Sequence, residues 1–124
     1  MRTTLAIAFA GSLGAVSRHQ LESIVNRHWG DVFPWGTFVV NVSGSFVLGA
    51  LIGLFAHRLG VPLWLQAAAT VGFLGAYTTF STLSLQLYRS TATGHLLLAL
   101  ANAFGSLAAG TLALYAGVLL ARAL

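Results

Sequence analysis

The sequence predicts an all-α membrane protein with four transmembrane helices per chain, and three observations predict it. Of its 124 residues, 57% are hydrophobic and only 6% are charged, whereas soluble domains carry roughly 25% charged residues. Six arginines and two acidic residues cannot make a water-facing surface. The apolar residues also fall into four runs, each long enough for the roughly 20 residues that a helix needs to cross hydrocarbon. Fourteen glycines and two prolines accompany them, which is not a disordered composition. Four such spans fill the chain, so residues 1–124 read as one four-helix transmembrane domain.

Span one covers about 3–25 and carries Arg18 and Glu22 in its last turns. Met1-Arg2 followed by Leu5 to Val16 has the form of a signal peptide. Three further spans favour a first helix that serves as the insertion signal and stays. The polar stretch Asn26-Arg27-His28-Trp29-Gly30-Asp31 reads as a linker. Span two, about 34–56, opens on Pro34, which suits a first helical turn. His57-Arg58-Leu59-Gly60 reads as a short turn, and span three follows over about 62–88. Arg89 to Gly94 reads as the next loop, and span four covers about 95–121. Trp29, Trp35, Trp64 and Tyr88 fall near span ends, where amphipathic rings settle among headgroups.

With four spans, both termini share one side of the membrane. Arg2, Arg58 and Arg122 fall on that side, Arg27 and Arg89 on the other, with Arg18 inside a span near the latter end. Orientation follows an excess of Arg and Lys on the cytoplasmic side, and here there is almost none. The balance predicts insertion in both orientations and antiparallel pairing. The arginines are scattered singly, unlike the clustered basic face of a nucleic-acid binder. Cysteine is absent, which excludes disulfides and thiolate metal sites.

Polar groups inside a bilayer are expensive and mark function or helix contacts. Gly11, Gly14, Ala15 and Arg18 share a face of span one. There the small residues admit a neighbouring helix, and Arg18 either draws anions or snorkels to the edge. Thr37, Asn41 and Ser45 line a stripe of span two, where Asn41 offers two N–H donors or ties helices together. Gly49 and Gly53 make a Gly-x-x-x-Gly contact pattern. In span three, Gly72 and Gly75 precede five hydroxylated residues within Tyr77-Thr78-Thr79-Phe80-Ser81-Thr82. That composition weakens a helix and points to a break at mid-membrane, where freed backbone groups are tolerated only if they line a cavity or hold an ion. Asn102, Ser106 and Gly110 form a second small-and-polar stripe on span four. No carboxylate lies deep in a span, and no nucleophile–base pair or phosphate loop is present, so an enzyme has little support.

Together, Gly11-x-x-Gly14-Ala15-x-x-Arg18, Gly36-Thr37-x-x-x-Asn41 and Gly72-x-x-Gly75-x-x-Thr78-Thr79-Phe80-Ser81-Thr82 resemble the Fluc fluoride channel family, also called CrcB. The resemblance covers nearly the whole chain. Each motif is loose alone, but the three in order in a four-span chain are specific. The resemblance implies a passive fluoride channel that exports the ion across the inner (plasma) membrane of a microbe, as an antiparallel dimer with two pores along the subunit interface. It also implies a structural sodium ion at the dimer centre, held by backbone carbonyls matching Gly75 and Thr78. Pore residues would be Asn41, Phe80, Ser81 and Thr82, with Arg18 in the vestibule and Thr37 and Ser106 on polar stripes beside the pore. The chain departs from the family at Leu83, usually Phe, at Gln86, usually Glu, and at Asn102, sometimes Tyr. These changes leave room for a non-identical partner chain beside the homodimer. Two further functions stay open on the residues: a small dual-topology coupled transporter, with Glu22 as its available carboxylate, and a non-conducting membrane assembly subunit.

Overall fold

A computed structural model describes residues 1–57 and 60–124, and among these the chain is all helix and turn, with no strand. The helices are α1 (Arg2–Trp29), α2 (Trp35–His57), α3 (Leu63–Ala67), α4 (Gly75–Tyr77), α5 (Phe80–Ala92) and α6 (Leu96–Ala123), with a π-helical segment, Ala68–Leu74, joining α3 to α4. Helices α2 and α6 are long and apolar enough to cross a membrane. At 1.5 Å per residue, the 28 residues of α1 and of α6 each extend about 42 Å, more than the roughly 30 Å of hydrocarbon. Arg58, one of the balancing arginines, lies outside the described residues, as does Leu59 of the expected turn.

Two helix ends run further than the polar composition suggests. The stretch from Asn26 to Trp29, expected in a linker, is the last turn of α1. Its side chains support the helix: Arg27 donates to the Ser23 carbonyl at 3.2 Å, and a ring nitrogen of His28 lies 2.8 Å from the Ile24 carbonyl. Arg89 to Ala92, expected in a loop, is helical for a similar reason. Thr91 donates to the Leu87 carbonyl and Thr93 to that of Arg89. The chain leaves this helix at Gly94, whose φ of 81° is one that glycine adopts without steric cost.

Close backbone approach holds the helices together. Helix α2 packs most extensively on α6. A Cβ at Gly49 would collide with the Leu114 carbonyl, and one at Gly117 with that of Phe46. Helix α1 packs on the π-helical segment in the same way, Gly14 against the Phe73 carbonyl and Gly72 against Ile7 and Ala10. Helices in lipid gain little from the hydrophobic effect, so such van der Waals contact between small residues carries much of the association. Few apolar side chains are enclosed: Val40, Ala68, Leu74, Ala99 and Ala121 are the buried ones among the described residues.

Candidate functional site: a clamped break beside a polar groove

Between α4 and α5 two residues leave helical geometry. Thr78 (φ −81°, ψ 158°) and Thr79 (φ −149°, ψ 116°) are both extended. Extended backbone forfeits the helical ladder, so its polar groups need other partners. Asn41 of α2 supplies two of them. Its Nδ2 donates to the Thr79 carbonyl at 3.1 Å, and its Oδ1 accepts from the Thr79 N–H at 2.8 Å. The same Thr79 caps α5, its hydroxyl oxygen accepting from the Thr82 N–H at 3.2 Å. Asn41 is therefore a backbone clamp. One of its two amide protons goes to Thr79, and the other remains for a ligand.

The clamp leaves carbonyls free. In a continuous helix, Gly75 C=O would accept from Thr79 N–H and Thr78 C=O from Thr82 N–H. Those donors go to Asn41 and to the Thr79 side chain instead. The Thr78 carbonyl meets Arg18 of α1, whose guanidinium donates at 3.5 Å, the outer limit of a hydrogen bond. A carbonyl has two lone pairs, so room remains for a second partner. Unwound carbonyls of this kind are how membrane proteins bind sodium, and the chemistry of Gly75 and Thr78 fits such an ion.

An open groove of about 450 Å³ runs along the break. It is lined by Asn41, Gly75, Thr78, Phe80, Leu83 and Ser106, among others. Five residues expected at the site thus meet in one place: Asn41, Phe80, Ser106, Gly75 and Thr78. Phe80 is 82% exposed, an open position for a large ring on a single chain. Ser81 and Thr82 lie beside the groove without lining it. Ser81 Oγ is 3.3 Å from the Thr79 hydroxyl, which in turn donates to Thr82 Oγ1 at 3.0 Å. Arg18, half-buried, reaches the break and does not line the groove.

Thr37 is set apart from the groove, in a second polar array. Ser106 donates to Asn102 Oδ1 at 3.1 Å, and Asn102 Nδ2 faces Gln86 Oε1 at 3.5 Å. Gln86 Nε2 donates to Thr37 Oγ1 at 2.7 Å, and Thr37 donates to Glu22 Oε1 at 3.2 Å. Thr37, Asn102 and Ser106 are 4%, 2% and 7% exposed. This array joins α6, α5, α2 and α1. Gln86 stands out in the sequence only as a departure from a family pattern, Glu22 only as a carboxylate near a span end, and Asn102 as both a departure and a member of the polar stripe on span four. The available signal was the four-residue spacing of Asn102 and Ser106. The π-helical segment had no sequence signal, although such segments are frequent at functional sites.

The family model described as CrcB-like protein, Camphor Resistance (CrcB), matches residues 5–118. Among curated proteins, the fluoride-specific ion channel FluC of Magnetococcus marinus is 44% identical over 116 residues, covering 94% of each chain. That of Solibacter usitatus is 41% identical over 118 residues, covering 95% of this chain and 97% of its own. That of Citrifermentans bemidjiense is 37% identical over the full length of both chains. With the family model spanning nearly the whole sequence and relatives of this identity aligned end to end, this chain belongs to the CrcB family.

Proposed function

We propose that this chain forms a fluoride-selective passive channel that exports fluoride across the inner cell membrane and so relieves fluoride toxicity. The observation that carries the proposal is the Asn41-clamped break beside a groove lined by Phe80 and Ser106, in a chain whose full-length relatives are named fluoride-specific ion channels. Fluoride is small and strongly hydrated, so a pore must offer hydrogen-bond donors in place of water. The second Asn41 proton and the hydroxyls of Ser81 and Thr82 are suited to this. The edge of Phe80 is the positive part of its quadrupole and faces an anion without a full charge, which would hold the ion too tightly to conduct. Expression in a bacterium lacking its own fluoride exporter tests the proposal. Growth in fluoride medium that an empty vector does not permit is expected, and continued fluoride sensitivity would contradict it.

The functional unit is an antiparallel, dual-topology dimer of four-span chains, with the third span interrupted at mid-membrane at Thr78 and Thr79. Support comes from the near-balanced arginines, the exposed ring of Phe80 and the open side of the groove. A homodimer is the simplest form; a non-identical partner would fit a chain with Leu83, Gln86 and Asn102 at positions that differ from the family pattern. A sodium ion held by Gly75 and Thr78 carbonyls would neutralise the converging oxygens at the centre of the dimer. Transfer of the purified protein into sodium-free N-methylglucamine buffer is then expected to shift it from dimer to monomer by size-exclusion light scattering. An unchanged mass would remove sodium from the proposal.

Leu83 lines the groove and supplies bulk without an aromatic edge. Leu83→Phe is expected to raise fluoride efflux about two- to tenfold, because a second electropositive ring edge then faces the ion in the groove. Efflux equal to that of the unsubstituted protein would show that a one-sided aromatic lining does not limit conduction.

A further inference from the structure

The five-member array from Ser106 to Glu22 has a direction. An ionised carboxylate can only accept hydrogen bonds. With Glu22 ionised, Thr37 must spend its single proton on Glu22 Oε1, 3.2 Å away. Thr37 then has only lone pairs for Gln86, so Gln86 must present its NH2, at 2.7 Å. The other end of that amide is an acceptor, which Asn102 meets with its own NH2. Asn102 is left with its carbonyl toward Ser106, and Ser106 must donate. One charge thus orders every proton in the row, and Ser106, which lines the groove, turns its only proton away from it.

We propose that Glu22 is a positioning residue that sets the direction of this row and so decides whether Ser106 offers the groove a lone pair or a proton. An uncharged, proton-bearing group at position 22 donates to Thr37 equally well. Thr37 then donates to Gln86, both amides turn over in place, Asn102 donates to Ser106, and the Ser106 proton is released toward the groove. The reversal moves no backbone and keeps every link. The charged and titratable groups near Glu22 leave this arrangement intact. On α1, Arg18 turns to the Thr78 carbonyl, His19 is exposed, and Arg27 and His28 turn to their own helix. Helix α2 presents Thr37 and has no ionisable residue before His57. Helix α5 presents Gln86, with exposed Arg89 at its next turn, and α6 presents Asn102, with exposed His95 at its start. Asp31, in the segment after α1, is exposed.

The effect on conduction rests on the fluoride-channel reading, whereas the direction of the row does not. Glu22→Gln is isosteric and can serve as donor or acceptor. In liposomes at pH 7.5 it is expected to raise fluoride efflux about tenfold or more, the worth of one added hydrogen bond to a charged group. In a Ser106→Ala background the same substitution is expected to change nothing, because the row then has no proton to redirect. The side-chain amide NMR signals of Gln86 and Asn102 are expected to shift in Glu22→Gln, and likewise in Thr37→Val, which severs the row should the first variant misfold. Unshifted amide signals overturn the proposal, as does a Glu22→Gln gain that persists without Ser106. Absent efflux from the unsubstituted protein, with the amide signals still shifting, would overturn the channel reading and leave the direction of the row standing.

Discussion

Asn41→Ala is expected to abolish fluoride efflux and to destabilise the fold by about 1–3 kcal/mol, because the buried Thr79 N–H loses its partner. The Thr79 N–H depends on this one side chain, whereas the Thr79 C=O, at the N-cap of α5, accepts from its own helix as well as from Asn41. The break would then either re-form a helix, with Thr79 N–H returning to the Gly75 carbonyl, or lose its fixed shape. Either outcome removes the free carbonyls and displaces Phe80, which directly follows Thr79. Asn41→Asp separates the two contributions: a carboxylate still accepts from the Thr79 N–H but cannot donate to its carbonyl when ionised. Unfolding in detergent followed by circular dichroism measures the stability loss. A stability matching that of the unsubstituted protein would mean that Asn41 does not clamp the break.

The second large effect is expected at a helix contact remote from the groove. Gly49→Ala places a methyl group against the Leu114 carbonyl, and Gly117→Ala places one against that of Phe46. Backbone atoms cannot swing aside as a flexible side chain can, so α2 and α6 must separate. Overpacking of this kind costs about 1–3 kcal/mol and occasionally more, set against about 1 kcal/mol that alanine gains over glycine in helix propensity. The net result is expected to be a lower folded yield and a lower melting temperature for both variants. Gly105→Ala is the internal control. Its nearest neighbour, the Phe38 ring, is 4.0 Å from the added carbon, and the propensity gain is expected to leave stability unchanged or slightly raised. Equal behaviour of Gly49→Ala and Gly105→Ala would rule out the close α2–α6 contact.

These two sites differ in how plainly they stand in the sequence. The four-residue spacing of Gly49 and Gly53 marks a contact face without naming what it touches, and the partner glycine, Gly117, lies 68 positions away from Gly49 on α6. Asn41 stands out because an amide in an apolar run is costly to leave unpaired, yet either a pore role or a helix tie suited it. The structure gives it a definite structural partner in Thr79 and leaves one proton over. The density of glycine and hydroxyl groups between Gly72 and Thr82 marks a weak stretch of helix. The position of the extended pair within it depends on Asn41, 38 residues earlier, which no local pattern contains. Helix ends run past the apolar spans where polar side chains bond back to their own helix, as Arg27 and Thr91 do. The row from Glu22 to Ser106 was illegible for the same reason as the break. Three of its four links join residues 15, 49 and 16 positions apart, and each member alone resembles an ordinary polar residue at a helix contact.

Fluoride efflux from liposomes containing the purified chain alone, read with a fluoride electrode and with a potassium ionophore to carry the counter-charge, tests the channel most directly. A fluoride channel gives fast efflux that requires the ionophore, with little chloride following. Folded protein that releases no fluoride, or that releases fluoride and chloride alike, would contradict it.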